Sequence, residues 1–363
     1  MSGQLETALD ANEEPDIKAA VKQLLDEVGS GWQRKLVSSL VETSIGLGLD
    51  NTTRLDLKIS AAALEEMRSA FRLFAPFRSA PKVTIFGSAR TQSHDPLWWQ
   101  AEEVSKLLAD KGWMVVTGAG PGIMEAAAVG AGIERSLGVS IRLPFEERPT
   151  HYIAHNDRLV SMKYFFTRKL MLVKESLGFI CLPGGFGTMD ETFELLTLQQ
   201  TGKMVPVPIV LLDRPGGTFW QGFERFTVEH LEGTGMISAG DLDRVHITDS
   251  IEEAARVVTG FWCNYDSLRW HRERLVLRLR NAPSDDEIEQ LNEQFGGLLE
   301  SGRIERSEPL QPEVNDEDQL HLPRLVLVPH QRAVGELHRL IGAINALPSA
   351  PRDETAPEVE PEE

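Results

Sequence analysis

A glycine turn and the acid that follows it carry the clearest chemistry in this sequence. The turn is Pro183-Gly184-Gly185-Phe186-Gly187-Thr188, placed after the apolar run 179–182 and before a helical pattern. Bare amides at Gly184, Gly185 and Gly187 and the positive end of a helix dipole favour an anion there, and the Thr188 hydroxyl adds a donor. No Lys follows in the manner of Gly-Lys-[Ser/Thr], so this is not a nucleoside-triphosphate loop, and a monophosphate suits it better. Glu191 lies three residues beyond Thr188, one turn inside the same helix. An acid near a helix start is often only a cap or a dipole partner. Beside a phosphate cradle it becomes a candidate for chemistry.

Two further turns add to the pattern. Phe86-Gly87-Ser88 follows an apolar strand pattern; its glycine allows close backbone approach and its hydroxyl can donate to a phosphate or a ribose. Thr117-Gly118-Ala119-Gly120-Pro121-Gly122-Ile123-Met124-Glu125 again joins a strand to a helix start. It is not the dinucleotide fingerprint. Gly-x-Gly-x-x-Gly would need glycine at Ile123, and the next strand ends at Arg142-Leu143, where an NAD enzyme would place an acid.

The elements that must position these turns alternate. Apolar strand patterns occur at 83–86, 114–117, 138–143, 178–182 and 207–212, with a short sixth at 245–247. Helical patterns lie between or after them at 97–111, 123–136, 161–176, 189–201 and 219–232. This rhythm predicts an α/β fold: a Rossmann-like parallel sheet flanked by helices over 81–260, with every motif at the carboxyl edge of the strands. A helical N-terminal extension spans 17–80. It holds two helices broken at Gly29 and Gly31, then a third capped by Ser60. A mixed C-terminal extension spans 261–348. In it 270–279 reads as a basic amphipathic helix that is solvated, paired with the acids at 285–289, or able to meet RNA. Ser284-x-x-Glu287 opens a further helix as a capping box, 324–329 reads as a strand, and 333–347 as a last helix. Residues 1–16 and 349–363 read as disordered acidic ends.

Bulk properties limit the function classes. The net charge is −18, but residues 1–16 hold five acids with no Lys or Arg, and 349–363 hold six acids with one Arg. Most of the acidity is therefore solubilising ends, and no broad basic face for nucleic acid is expected. Cys181 and Cys263 are the only cysteines, too few for a disulfide framework or a cysteine-rich metal site. The nine histidines lack ligand spacing, so neither metal nor cofactor is expected. No leader peptide and no apolar run of membrane-spanning length is seen, and a cytoplasmic setting fits.

Three segments together resemble the LOG family: Gly118-Ala-Gly-Pro-Gly-Ile-Met-Glu125, Phe166-Thr-Arg-Lys169 and Pro183-Gly-Gly-Phe-Gly-Thr-Met-Asp-Glu191. That family comprises cytokinin riboside 5'-monophosphate phosphoribohydrolases and related nucleotide 5'-monophosphate nucleosidases, many once labelled possible lysine decarboxylases. The resemblance covers about 82–260. It implies that Arg168 and Glu191 form the catalytic pair, that the Gly184–Thr188 turn holds the 5'-phosphate and that Pro183 belongs to the substrate-binding set. Gly87, Ser88, Gly118, Gly120, Gly122 and Glu125 would line the nucleotide. It also implies a homodimer with sites near the subunit boundary. The expected reaction is hydrolysis of the N-glycosidic bond of an AMP-like or cytokinin riboside monophosphate. A nucleotide-binding regulator is the alternative. The older label would need a pyridoxal-phosphate lysine, and neither Lys169 nor Lys174 has a suitable context; Lys169 is expected to face away from the site. Two features depart from the family. Asp190-Glu191 stands where Glu-Glu is frequent, and the extensions at both ends are long.

Overall fold

The computed structural model describes residues 16–29, 31–143, 157–330 and 334–352. The chain forms two compact units, divided between Glu65 and Glu66. In the first unit α1 (Ile17–Val28) is capped by Asp16, whose carboxylate accepts from Ala19 N at 3.0 Å, and stops at Gly29 in the left-handed region. Next come α2 (Arg34–Leu49) and the start of α3 (Arg54–Phe74). Arg34 pairs with Asp26 at 2.6 Å and ties α2 to α1. Ser60 does not cap α3. The helix begins a turn and a half earlier, where the Thr53 hydroxyl accepts from Asp56 N, and Ser60 donates to Asp56 O within the helix.

The second unit is built on a seven-stranded sheet in the order β4-β3-β2-β1-β5-β6-β7, all neighbours parallel. The strands are β1 (Lys82–Phe86), β2 (Met114–Thr117), β3 (Ser136–Ile141), β4 (Leu159–Met162), β5 (Phe179–Cys181), β6 (Ile209–Leu212) and β7 (Val245–Thr248). The helices between them are α4 (Pro96–Asp110), α5 (Ile123–Ala131), α6 (Phe165–Lys174), α7 (Phe186–Gln200) and α8 (Phe219–Phe226), with α9 (Ile251–Gly260) after β7. β1, β2, β5 and β6 are buried along their whole length, as helices on both faces of a parallel sheet require. This is the expected Rossmann-like α/β architecture. One strand of this sheet was not anticipated: residues 161–162 belong to β4 rather than to the helix. Val160 and Met162 are buried while Ser161 is exposed, a period of two, and α6 starts only at Phe165.

The C-terminal part carries a four-stranded antiparallel sheet, β10-β11-β9-β8: β8 (Tyr265–His271), β9 (Arg274–Leu279), β10 (Leu299–Arg306) and β11 (Arg324–Pro329). The basic helix expected over 270–279 is instead the β8–β9 hairpin. Leu275, Leu277 and Leu279 face one way, and Val276 and Arg278 the other. Arg278 is buried because it is paired, not solvated, and its partners are Glu313 and Asp318 rather than the acids at 285–289. Those acids meet other arginines, Asp285 with Arg306 and Glu289 with Arg303. The helices here are α10 (Asp285–Phe295), opened by the Ser284–Glu287 capping box, α11 (Gln311–Asn315) and α12 (Val334–Asn345). One apolar cluster runs from Ala70 through the parallel sheet to Ile344 on α12. Of the acidic ends, 1–15 and 353–363 lie outside the described residues. Ser349 and Ala350 are packed in: Ser349 N donates to Glu287 and Ala350 is buried. Among the described residues no helix is long and apolar enough to cross a membrane.

Candidate active site

Chain order reverses at β1. The chain steps outward through β2, β3 and β4, then returns to the other side of β1 as β5. Ligand crevices form outside the carboxyl ends of strands at such a point. Here the crevice gathers all three glycine turns. Ser88 N donates to Pro183 O at 3.2 Å, and Ile123 N donates to Ser88 O at 3.0 Å. The second contact is possible because residue 122 is glycine: its φ is +70°, and a Cβ there would stand 2.3 Å from Ser88 O. Gly87 lies against Ile123, Gly120 against Met124, and half-buried Glu125 sits in the first turn of α5.

The two helix N-termini at this crevice differ. The first amide of α5, Ile123 N, is already used by Ser88. α7 starts after Gly185 with no side chain capping it, and beside Gly185 and Gly187 a Cβ would meet no atom within 4 Å. Open space in front of uncapped first-turn amides is what an anion needs. Thr188 is buried, its hydroxyl packed against Gly184. The open side of the turn therefore presents backbone.

Arg168 and Glu191 meet beside this turn. Arg168 reaches in from α6. Its Nε donates to Val139 O of β3 at 3.0 Å, and its Nη1 lies 3.4 Å from Glu191 Oε1. Its guanidinium lies against Gly118, where a Cβ would come within 2.0 Å of Nη2. Both side chains of the pair are close to nine-tenths buried, at 10% and 12% exposure, so water screens the charges weakly. Burial pushes the Glu191 carboxyl up to about 7, with Arg168 and then Lys169 pulling it back. Desolvation together with a specific charge partner makes Glu191 a candidate for chemistry.

Lys169 does not face away. It pairs with Asp190 at 2.8 Å and Glu194 at 3.0 Å, bracketing Glu191 and clamping α6 to α7. Burial draws its pKa down, but the two acids outweigh that and leave it raised, so it stays charged. The Cys181 thiol, pushed up to about 12 by burial, is no nucleophile. Among the described residues no group of His, Cys, Asp and Glu is placed to hold a metal ion. Sequence reading missed Glu66, which caps α6 from nearly 100 positions upstream; no local signal links it to the site.

A doubly wound parallel sheet with a glycine turn at its switch point and an Arg–Glu pair beside it defines the class: a Rossmann-like α/β protein. The chain belongs to the LOG family of phosphoribohydrolases. Its residues 122–258 match the family model described as possible lysine decarboxylase. It is 31% identical over 174 residues to a cytokinin riboside 5'-monophosphate phosphoribohydrolase of Mycobacterium tuberculosis, spanning 46% of this chain and 88% of that one. The protein of the same name from Mycobacterium marinum is 31% identical over 170 residues, spanning 46% and 87%. Among solved structures, a molybdenum cofactor binding protein from Rippkaea orientalis is similar at 24% identity with a TM-score of 0.34, over 48% of this chain and 91% of that one.

Proposed function

We propose that this protein hydrolyses the N-glycosidic bond of nucleoside 5'-monophosphates, AMP-like or cytokinin riboside monophosphates, to a free base and ribose 5-phosphate. One observation carries the reading: a buried carboxyl titrating near 7, paired with an arginine, stands one helical turn inside an uncapped, open glycine turn. From Gly187 to Glu191 is about 6 Å along the helix axis, the scale of a phosphorylated sugar. The α7 amides and the turn Gly184–Thr188 hold the 5'-phosphate, and that binding energy orients the ribose. Positive charge develops on the sugar as the C1'–N bond breaks. Glu191 as carboxylate stabilises it and takes the proton of the attacking water. The base leaves with the bonding electron pair and takes up a proton from solvent, and Glu191 then releases the proton it took from water, so that water ends as the C1' hydroxyl and the hydrogen on the base. Arg168 stays protonated and cannot be the base; it orients Glu191 and keeps part of it ionised. Ser88, Gly87, Gly118, Gly120, Gly122, Glu125 and Pro183 line the nucleotide. The working unit is a homodimer, which light scattering checks.

The test is incubation with AMP, GMP, CMP and UMP and chromatography for free base. Glu191→Gln is expected to abolish base release while nucleotide still binds in calorimetry. Turnover retained by Glu191→Gln would remove that residue from the mechanism. Binding without base release in the unmutated protein would make it a nucleotide-binding regulator.

A further inference from the structure

We propose that Glu66 is a positioning residue of this site, fixing the start of α6 and thereby the reach of Arg168 to Glu191; the inference rests on the hydrolase reading. α6 has no side-chain cap of its own at Tyr164. A buried carboxylate from α3 supplies one. Glu66 Oε1 accepts from Lys163 N at 2.6 Å, and Oε2 accepts from Tyr164 N at 3.4 Å and from the Thr167 hydroxyl at 2.7 Å. Only 6% of Glu66 is exposed, and its outer edge meets the Arg142 guanidinium at 3.3 Å. A carboxylate that accepts from the two amides leading into a helix and from a first-turn hydroxyl anchors the helix start, and its negative charge complements the dipole. The same carboxylate therefore joins the residue after β3, the residue after β4 and the first turn of α6.

The geometry passes directly to the chemistry. Thr167, held by Glu66, precedes Arg168 in the chain, and the next hold on α6 is the Arg168 Nε bond to Val139 O. With the Glu66 hold lost, the first turn of α6 frays or rotates, and the 3.4 Å approach of Arg168 to Glu191 is the contact with least to spare. The groups that face Glu191 are Arg168 and Lys169 on α6, Asp190 and Glu194 on α7, and Cys181 on β5. Withdrawing Arg168 removes the larger of the two cationic influences, so the Glu191 carboxyl moves further up.

The experiment compares Glu66→Gln with the unmutated full chain. Three readouts are used: kcat and KM for base release from AMP, the pH at which kcat/KM reaches half its plateau, and NMR titration of the Glu191 carboxyl, which needs no turnover. The expected result is a kcat lower by on the order of 10-fold or more, KM little changed, and both the kinetic limb and the Glu191 titration displaced to higher pH. Thr167→Val, which removes one donor to the same carboxylate, moves both in the same direction by less, and it serves if Glu66→Gln does not fold. Glu66→Asp restores part of the rate. A Glu66 that merely stabilises the fold would lower the melting temperature and leave the pH limb and the titration in place, and that result overturns the proposal. Failure of the hydrolase reading is distinct: it is turnover surviving in Glu191→Gln, or none in the unmutated chain, and the NMR titration reports on Glu66 either way.

Discussion

Glu191 is the residue at which stability and the proposed chemistry conflict. Its pKa rises from 4.5 to about 7 on folding, because burial penalises the charge before Arg168 and Lys169 can offset it. The folded chain thus holds this proton more tightly than the unfolded one. Below pH 4.5 the group is protonated in both states and costs nothing. Above 4.5 the unfolded carboxyl ionises while the buried one keeps its proton, so the penalty builds between pH 4.5 and 7 and levels off at on the order of 3 kcal/mol once both are ionised. Glu191→Gln, neutral at every pH, should therefore match the unmutated protein near pH 4 and be more stable at pH 8, measured by urea unfolding at both values. A variant that is inactive yet no more stable at pH 8 would mean that the carboxyl is not desolvated. Arg168→Ala removes the main stabiliser of the ionised form. Base release should fall by two or more orders of magnitude, with the activity limb displaced to higher pH; a near-normal rate would reduce Arg168 to a structural role. Of this chemistry, the residue types were legible in sequence because the glycine turn and the acid are local. The raised pKa was not, since it comes from burial by elements far apart in the chain. The same holds for Lys169, whose partners Asp190 and Glu194 lie across a helix–helix contact.

At the scale of elements, the glycine turns do different work, and alanine separates them. Gly122 combines positive φ with a Cβ position 2.3 Å from the Ser88 carbonyl. Gly122→Ala should cost roughly 1–3 kcal/mol and pull the Gly87–Ser88 turn away from α5, visible as a lower melting temperature together with a higher KM. Gly187 has neither constraint and a Cβ there would point into open space. Gly187→Ala should melt like the unmutated protein but bind nucleotide more weakly, because the methyl enters the volume assigned to the phosphate. Unchanged KM in Gly187→Ala would move the phosphate elsewhere. The parallel strands were readable because both-face burial leaves unbroken apolar runs. β4 was not, since four residues, one of them serine, give too short a pattern beside a helix. β9 was misread for a related reason. Arginine at 278 imitates the polar side of a helix, and its pairing with the buried Glu313 depends on residues far along the chain.

Across the second unit as a whole, the antiparallel sheet is joined to the parallel-sheet core rather than appended to it. Trp262 Nε1 donates to Leu177 O just before β5. Asn345 on α12 accepts from Asn264 N and Tyr265 N and donates to Phe261 O, and Leu340 and Ile344 complete the apolar cluster that contains β1 and β5. A perturbation in the far sheet should therefore be felt at the site. Glu313 is the place to apply it: it is 1% exposed and its Oε1 accepts from Arg278 at 2.9 Å and Arg324 at 3.2 Å, while Leu310 N donates to Oε2 at 3.0 Å. Burial alone would raise its pKa, but the Leu310 amide, Arg278 and Arg324 together hold it below the usual carboxylate range. Its contribution is thus present at neutral pH and lost as pH falls through that depressed value. Glu313→Gln leaves two buried guanidinium groups short of their counter-charge and should cost about 3–5 kcal/mol at pH 7. With one cooperative core, hydrogen-exchange protection of β9 and of β5 falls by the same factor, and base release is lost at the same lowered temperature. If β9 loses protection while β5 keeps it, the C-terminal sheet is a separate folding unit and its long-range hold on the nucleotide site is absent.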